Sequence, residues 1–438
     1  MYRPEIESAP REAIEKLQLE RLQSMLIRVY DNVGMYRKRF DEAGFDPRSV
    51  QSLEDLSHAP FTTKDDLRNA YPYGLFAVPL KDIVRIHSSS GTTGQITVGG
   101  YTRHDLEVWA ELVARVLTAA GATADSIVQV AYGYGLFTGG LGVHDGSQLL
   151  GAMTVPASGG NTKRQVKMLK DLGVNLLACT PSYALRIAET MQEMGVDADE
   201  MALHGGVFGA EPWSEQMRTQ IENGLGIRAT DIYGLSEVMG PGVAGECECQ
   251  SGLHVFEDHF LLEVVDTETL KPVPDNQYGE VVFTTLTKEG IPLVRYRTRD
   301  ISRIILGECA CGRTLRRMER ITGRSDDMLI IRGVNVYPSQ IEQVLLGIPG
   351  IAPHYQVVLS KKGSMDHIEA QVEVAPGFSF DEVSKLEMLK RQVGIELASS
   401  LSVSISVKLV EPKSITRSEG KAKRVVDLRV KEEGAAGQ

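Results

Sequence analysis

From Ile127 to Tyr233 the chain alternates two kinds of segment. IVQVA, AMTVPA, NLLAC, GGVFG and ATDIY are short and strand-like, while NTKRQVKMLKDL, SYALRIAETMQEM and PWSEQMRTQIENGL carry apolar residues at helical spacing. This alternation constrains the fold more than any other feature. It predicts βαβ units on a largely parallel sheet, with ligands bound beyond the carboxyl ends of the strands.

The flanking segments read differently. The first 80 residues are helices joined by polar turns, with REAIEKLQLERLQSMLIRVYDNV running over about five turns as a packing layer. DIVRIHS is strand-like, and a helix from Arg103 to Ala120 can be capped by Thr102 and ended by Gly121, with Leu106, Trp109, Val113, Val116 and Ala120 on one face. Between about 253 and 306 the helical signal disappears, and HVFEDHFLLEVVD, GEVVFTTLT and RYRTRDISRII read as an antiparallel subdomain. A mixed pattern begins near 324. The expected fold class is α/β: a large N-terminal domain of mostly parallel sheets with an antiparallel strand-rich subdomain, followed by a small mobile α+β C-terminal lid domain. Residues 1–325 form the first domain, divided into a helical start (1–80), an α/β core (81–250) and a strand-rich part (251–325), and residues 326–438 form the lid.

Composition limits the partners. With 47 basic against 58 acidic residues the net charge is -11, which argues against sequence-independent binding to nucleic acid or anionic lipid. No apolar run approaches the ~18 residues that a membrane span requires, and the charged N-terminus does not read as a secretory signal. A soluble, cytoplasmic protein without nucleic-acid or membrane partners is expected, with a homodimer as the default assembly.

Several segments carry chemistry. In SSSGTTG, residues 88–94, glycines let the backbone approach an anion and hydroxyls donate to it, although the Walker pattern is absent and a mobile surface loop fits the same composition. GAEP (209–212) and YGLSE (233–237) end successive strands, so Tyr233 can offer a flat face to a base and Glu237 a hard oxygen to Mg²⁺. In RYRTRD, Asp300 can accept both hydroxyls of a ribose, and GRSDD supplies Arg324 and Asp326. AYGYGLFTGG sets Tyr132, Tyr134 and Phe137 among glycines; Tyr134 and Phe137 are candidate walls for a planar acid, with core packing as the alternative. Of the five cysteines, Cys179 reads as a buried hydrophobe. Cys247/Cys249 and Cys309/Cys311 form two C-x-C pairs, the first shortly before His254. Thiolates with an imidazole suit tetrahedral Zn²⁺; reduced unliganded thiols and a disulfide are the alternatives.

SSSGTTG, GAEP, YGLSE, RYRTRD, GRSDDMLIIRGVNVYPSQIE and RSEGKAKR occur in an order and spacing that resemble the adenylate-forming acyl-coenzyme A ligases. With FTTKDDLRNAYPYGLFAVP, HVFEDHFLLEVVD and TTLTKEGIPLVRYRTRD, nearly all of the chain is similar, more narrowly, to the phenylacetate-coenzyme A ligase family. The resemblance implies that a carboxylic acid, most simply phenylacetate, attacks the α-phosphate of Mg·ATP, and that coenzyme A then displaces AMP from the acyl-adenylate. It implies that Ser89, Ser90, Gly91, Thr92, Thr93 and Gly94 hold phosphates, that Gly209, Ala210, Glu211 and Pro212 border the adenine, and that Tyr233 stacks on it next to Gly234. Glu237 is then the Mg²⁺ ligand, Asp300 and Arg324 hold the ribose, Lys421 is the adenylation lysine, and Asp326 is the hinge about which the lid turns, exchanging Lys421 for the face carrying RGVNVYPSQ. Cys247, His254, Cys309 and Cys311 correspond to structural zinc ligands, leaving Cys249 spare. One departure stands out: the Lys-Pro-Thr that follows the phosphate loop in the family is Gln95, Ile96 and Thr97 here, so that position lacks a cation. The same chemistry on another aryl or small hydroxy acid, or an adenylyltransferase that forms no thioester, are the alternative activities.

Overall fold

Five strands, Met153–Val155, Ile127–Val130, Leu176–Cys179, Gly205–Gly209 and Arg228–Leu235, lie side by side in this spatial order and pair in parallel. The structure is a computed structural model that describes residues 1–88, 97–331, 334–362, 365–375, 383–401, 403–418 and 420–429. After Met153–Val155 the sheet grows in the opposite direction, which opens a crevice at the carboxyl ends of the neighbouring strands.

The same sheet continues antiparallel through Gly240–Glu246, Leu253–Val255, Arg317–Met318 and Ile304–Ile305. It is therefore a mixed sheet, which corrects the expectation of a mostly parallel one. The cause is the short turn after Leu235: four residues can reverse a chain, whereas a parallel return needs a crossover. A second correction concerns the strand-rich segment. It divides between two sheets, because Phe260–Val265, Gly279–Thr285, Tyr296–Ser302 and Gly323–Arg324 form a separate antiparallel sheet.

The helix Thr138–Leu150 was hidden in the sequence by its glycines, which weaken any helical signal. Packing explains two of them. A Cβ on Gly142 would stand 2.5 Å from the Trp109 ring, and one on Gly146 2.5 Å from Val113. The helix thus lies directly on Arg103–Ala119, which Thr102 caps by accepting from the Asp105 N–H, as its sequence predicts. Trp109, Val113 and Val116 are buried on that face, each worth about 1.5–3 kcal/mol of transfer free energy.

The N-terminal helix Arg11–Asn32 buries Ile14, Leu22, Met25, Leu26 and Val29, and Gln18 Nε2 donates to Phe260 O at 3.1 Å. The lid segment has its own core around Val357, Val372, Val393 and Leu397, built from a sheet in the order Ser406–Val410, Met365–Val374, Ile351–Lys362, Val425–Asp427 and the helices Pro338–Leu346 and Val383–Leu401. Among the described residues no helix is long and apolar enough to cross a membrane.

Candidate active site

A cavity of about 590 Å³ opens at the carboxyl ends of the parallel strands. Phe137, Ala210, Glu211, Pro212, Tyr233, Gly234, Glu237, Asp300, Arg324, Asp326 and Lys421 all line it. The six residues Ser89–Gly94 lie outside the described residues, as do Arg332 and Gly333 of the predicted exchanged face. Gly209 packs beneath the cavity rather than lining it, because a Cβ there would stand 2.2 Å from Ile232 O. Gly234 is required by contact too, with the main chain of Gly240 at 1.8 Å from the same hypothetical atom.

One end of the cavity is set by strand register. Asp300 and Arg324 are directly opposed on antiparallel strands, so their side chains meet, with Arg324 Nη1 donating to Asp300 Oδ1 at 3.1 Å. Arg324 also grips Asp326 through two bonds of 2.9 and 3.0 Å, linking the Asp300 carboxylate to the expected hinge. Tyr233 OH donates to Asp300 Oδ2 at 2.7 Å. Burial raises the Asp300 carboxyl to about 6 despite the Arg324 guanidinium beside it. The adjacent Arg299 has φ +69, unusual for a side-chain-bearing residue, and its main-chain N–H is held by Glu280, which also takes both nitrogens of Arg297.

The lid reaches the same cavity. Ala422 N–H donates to Glu211 Oε2 at 2.8 Å, and Thr180 Oγ1 donates to Gly420 O at 3.0 Å. Lys421, held between them, lies 5.6 Å from the Phe137 ring centre. Its side chain is solvent-accessible from the cavity mouth, yet enclosure by protein lowers its pKa against the opposing pull of Glu211, Glu237 and Asp300. Ala210 takes φ +72, which turns the loop so that Glu211 faces the lid.

Glu237 is buried and its Oε1 is met by Lys64 Nζ at 3.0 Å and by Thr97 Oγ1 at 3.4 Å. Its turn is fixed from below. Lys288, almost fully buried, donates to Glu237 O and Val238 O at 3.3 and 2.8 Å and lies 4.6 Å from the Tyr101 ring centre; burial pushes its pKa down to about 8.

Of the two acid-pocket candidates, Phe137 lines this cavity, whereas Tyr134 does not line it and has its hydroxyl 3.2 Å from His144 Nδ1. Tyr132 lines it alongside Phe137. Sequence reasoning also missed Lys64 and Arg68, which come from the N-terminal packing layer, and Asp231, a buried carboxyl that desolvation raises to about 7. Asp231 precedes Tyr233 by two on its strand, so the alternation that points one into the crevice was a usable signal for the other.

Cys247 Sγ, His254 Nε2, Cys309 Sγ and Cys311 Sγ converge at the end of strand Gly240–Glu246, next to Ala119, all within 4.8 Å of one another. Cys247 and Cys309 sulfurs are 3.7 Å apart and Cys311 Sγ to His254 Nε2 is 3.4 Å. Ligand bonds of ~2.3 and ~2.05 Å in a tetrahedron give edges of about 3.8 and 3.6 Å, so the donor set fits a zinc ion. Cys249 is exposed and stands apart, and burial raises the Cys247 thiol.

Residues 77–286 match the AMP-binding enzyme family and residues 333–429 the AMP-binding enzyme C-terminal domain. The phenylacetate-coenzyme A ligase of Thermus thermophilus is 50% identical over 98% of this chain and 100% of its own length. The chain belongs to the phenylacetate-coenzyme A ligase family. Among solved structures, 2-hydroxyisobutyryl-CoA ligase in the postadenylation state, in complex with R3-HIB-AMP, is 29% identical with a TM-score of 0.92, covering 99% of this chain and 93% of that one. In its thioesterification state, with 2-HIB-AMP and CoA, that ligase gives 0.72 at 30% identity over 99% and 94% of the two chains. This phenylacetate-coenzyme A ligase family member is thus more similar overall to the postadenylation structure than to the thioesterification one, and Lys421 lines its cavity.

Proposed function

We propose that this protein is an ATP-dependent acid–thiol ligase that adenylates an arylacetic acid, phenylacetate above all, and transfers the acyl group to coenzyme A with release of AMP and pyrophosphate. The observation that carries this reading is the meeting of Lys421 from the lid with Glu237, Asp300 and Arg324 in one cavity. Two domains, 1–325 and 326–438, share the work. Asp300 accepts the ribose hydroxyls, Arg324 keeps that carboxylate oriented, Tyr233 and the Ala210–Pro212 loop border the base, and Ser89–Gly94 donate to phosphates. Lys421 bridges the attacking carboxylate and the α-phosphate, where a single ammonium follows charge as it shifts. Mg²⁺, held by Glu237, screens the phosphate charge when bound.

Turning about Asp326 then withdraws Lys421 and exposes the acyl-adenylate to the thiol. Phe137 and Tyr132 give the acid side aromatic walls, which favours an aryl acid over a small hydroxy acid. Cys247, His254, Cys309 and Cys311 would hold a structural zinc ion, which would join their two loops. The test is acid-dependent AMP release with coenzyme A over a panel of aryl, arylacetic and hydroxy acids, with the thioester identified by mass. Phenylacetate is expected to give the highest kcat/KM. Release of AMP without thioester would make the protein an adenylyltransferase.

A further inference from the structure

The geometry points to Lys64 as a binding residue for the β- and γ-phosphates of ATP and for the pyrophosphate that leaves, an inference that rests on the adenylation reading above. Lys64 lies outside both matched segments, 77–286 and 333–429. Its helix, Lys64–Asn69, belongs to the N-terminal layer, whose long helix Arg11–Asn32 packs on the core.

The fold nevertheless fixes this lysine at the cavity. Thr62 pairs with the strand that carries Asp300, its N–H donating to Arg295 O at 3.1 Å and its carbonyl accepting from Arg297 N–H at 2.9 Å. Thr63 caps the helix with Asp66, whose carboxylate accepts from the Thr63 N–H and hydroxyl at 2.7 and 2.9 Å and is clasped by the Arg39 guanidinium. Lys64 is therefore delivered at the first helical position with its backbone set from both sides. Its ammonium then lies 3.0 Å from Glu237 Oε1, and that same oxygen accepts from Thr97, three residues after Gly94 in sequence.

Charge makes the case. The chain's net charge of -11 supplies no general attraction for a nucleotide, so outer phosphates need a local cation. Arg324 and Lys421 serve the ribose and the α-phosphate. Lys64 stands on the Glu237 side of the cavity, where a divalent cation on that carboxylate would bring the outer phosphates. In the reaction the acid's oxygen forms a bond to the α-phosphorus while the bond from that phosphorus to the bridging oxygen breaks. The electron pair leaves with pyrophosphate. Lys64 donates N–H bonds to that growing charge, and no proton needs to change hands.

The test compares ATP, pyrophosphate and AMP affinities by calorimetry for wild type, K64A and K64R, with magnesium and again in EDTA, where Glu237 has no cation to hold. K64A is expected to bind ATP and pyrophosphate about tenfold more weakly in both conditions, with AMP within about twofold and K64R close to wild type. Unchanged AMP affinity shows that the variant is folded. A K64A protein whose ATP-to-AMP preference equals wild type in EDTA overturns the assignment and leaves Lys64 as a partner of Glu237 alone. A wild-type protein that does not bind ATP overturns the adenylation reading and this one together.

Discussion

Glu211 accepts a hydrogen bond from the main-chain N–H of Ala422 at 2.8 Å, the residue next to Lys421, while its other oxygen accepts from Ser182 N–H at 2.7 Å. One carboxylate therefore satisfies the first turn of the helix Pro181–Glu193 and fastens the lid in the arrangement that puts Lys421 into the cavity.

Glu211→Ala is expected to slow acid-dependent pyrophosphate release by about tenfold, since hydrogen bonds to a charged group are worth about 1.5–3 kcal/mol. Thioester formation from supplied acyl-adenylate should change little, because in the proposed mechanism the lid has left this latch by then. Stopped-flow measurement of the two half-reactions decides it. Equal slowing of both would mean that Glu211 acts through fold stability.

Lys421→Ala should reduce acyl-adenylate formation by about 100-fold or more and spare the second half-reaction. In the proposed mechanism the ammonium is needed where negative charge builds at the α-phosphate, and nowhere later. Chemically prepared phenylacetyl-adenylate, mixed with coenzyme A and the variant, isolates the second step. Loss of both steps would reassign the lysine.

Asp300 sets a pH dependence. Burial raises its carboxyl to about 6 in the ligand-free protein, and the ribose hydroxyls need the ionised form as acceptor. The sign follows: as pH falls through 6 the group takes up a proton, the ligand-free fold gains stability from this residue, and ATP binds less well. KM for ATP should therefore rise by up to about tenfold per pH unit below 6. Asp300→Asn should bind ATP weakly at every pH, with this slope removed. A wild-type KM that is flat between pH 5 and 7 would contradict the assignment.

The purified protein is expected to carry about one zinc per chain, and Cys309→Ser to lower the melting temperature by about 5 °C or more with unchanged specific activity in the folded fraction. Elemental analysis of protein prepared without chelator and thermal melts of the variant provide the readouts. Free reaction of all five thiols in the native, metal-free protein would leave the cluster as reduced cysteines.

The sequence by itself determined the βαβ core, the capped helix from Arg103, the cysteine–histidine set and the residues of the nucleotide motifs, because each depends on local periodicity or on short spacing. Asp300, Arg324 and Glu237 were legible as motif members, and their chemistry followed from residue type. Only the tertiary structure decided where the strand-rich segment divides, because that depends on the reversal after Leu235 and on which sheet edge each strand meets. It also placed Tyr132 in the cavity wall, since a glycine-rich turn leaves side-chain direction unspecified by sequence. Lys64 shows the limit most clearly. Its capping box is local and readable, but its meeting with Glu237 spans 173 positions and arises only when Thr62 pairs beside Tyr296, a contact that no periodicity encodes.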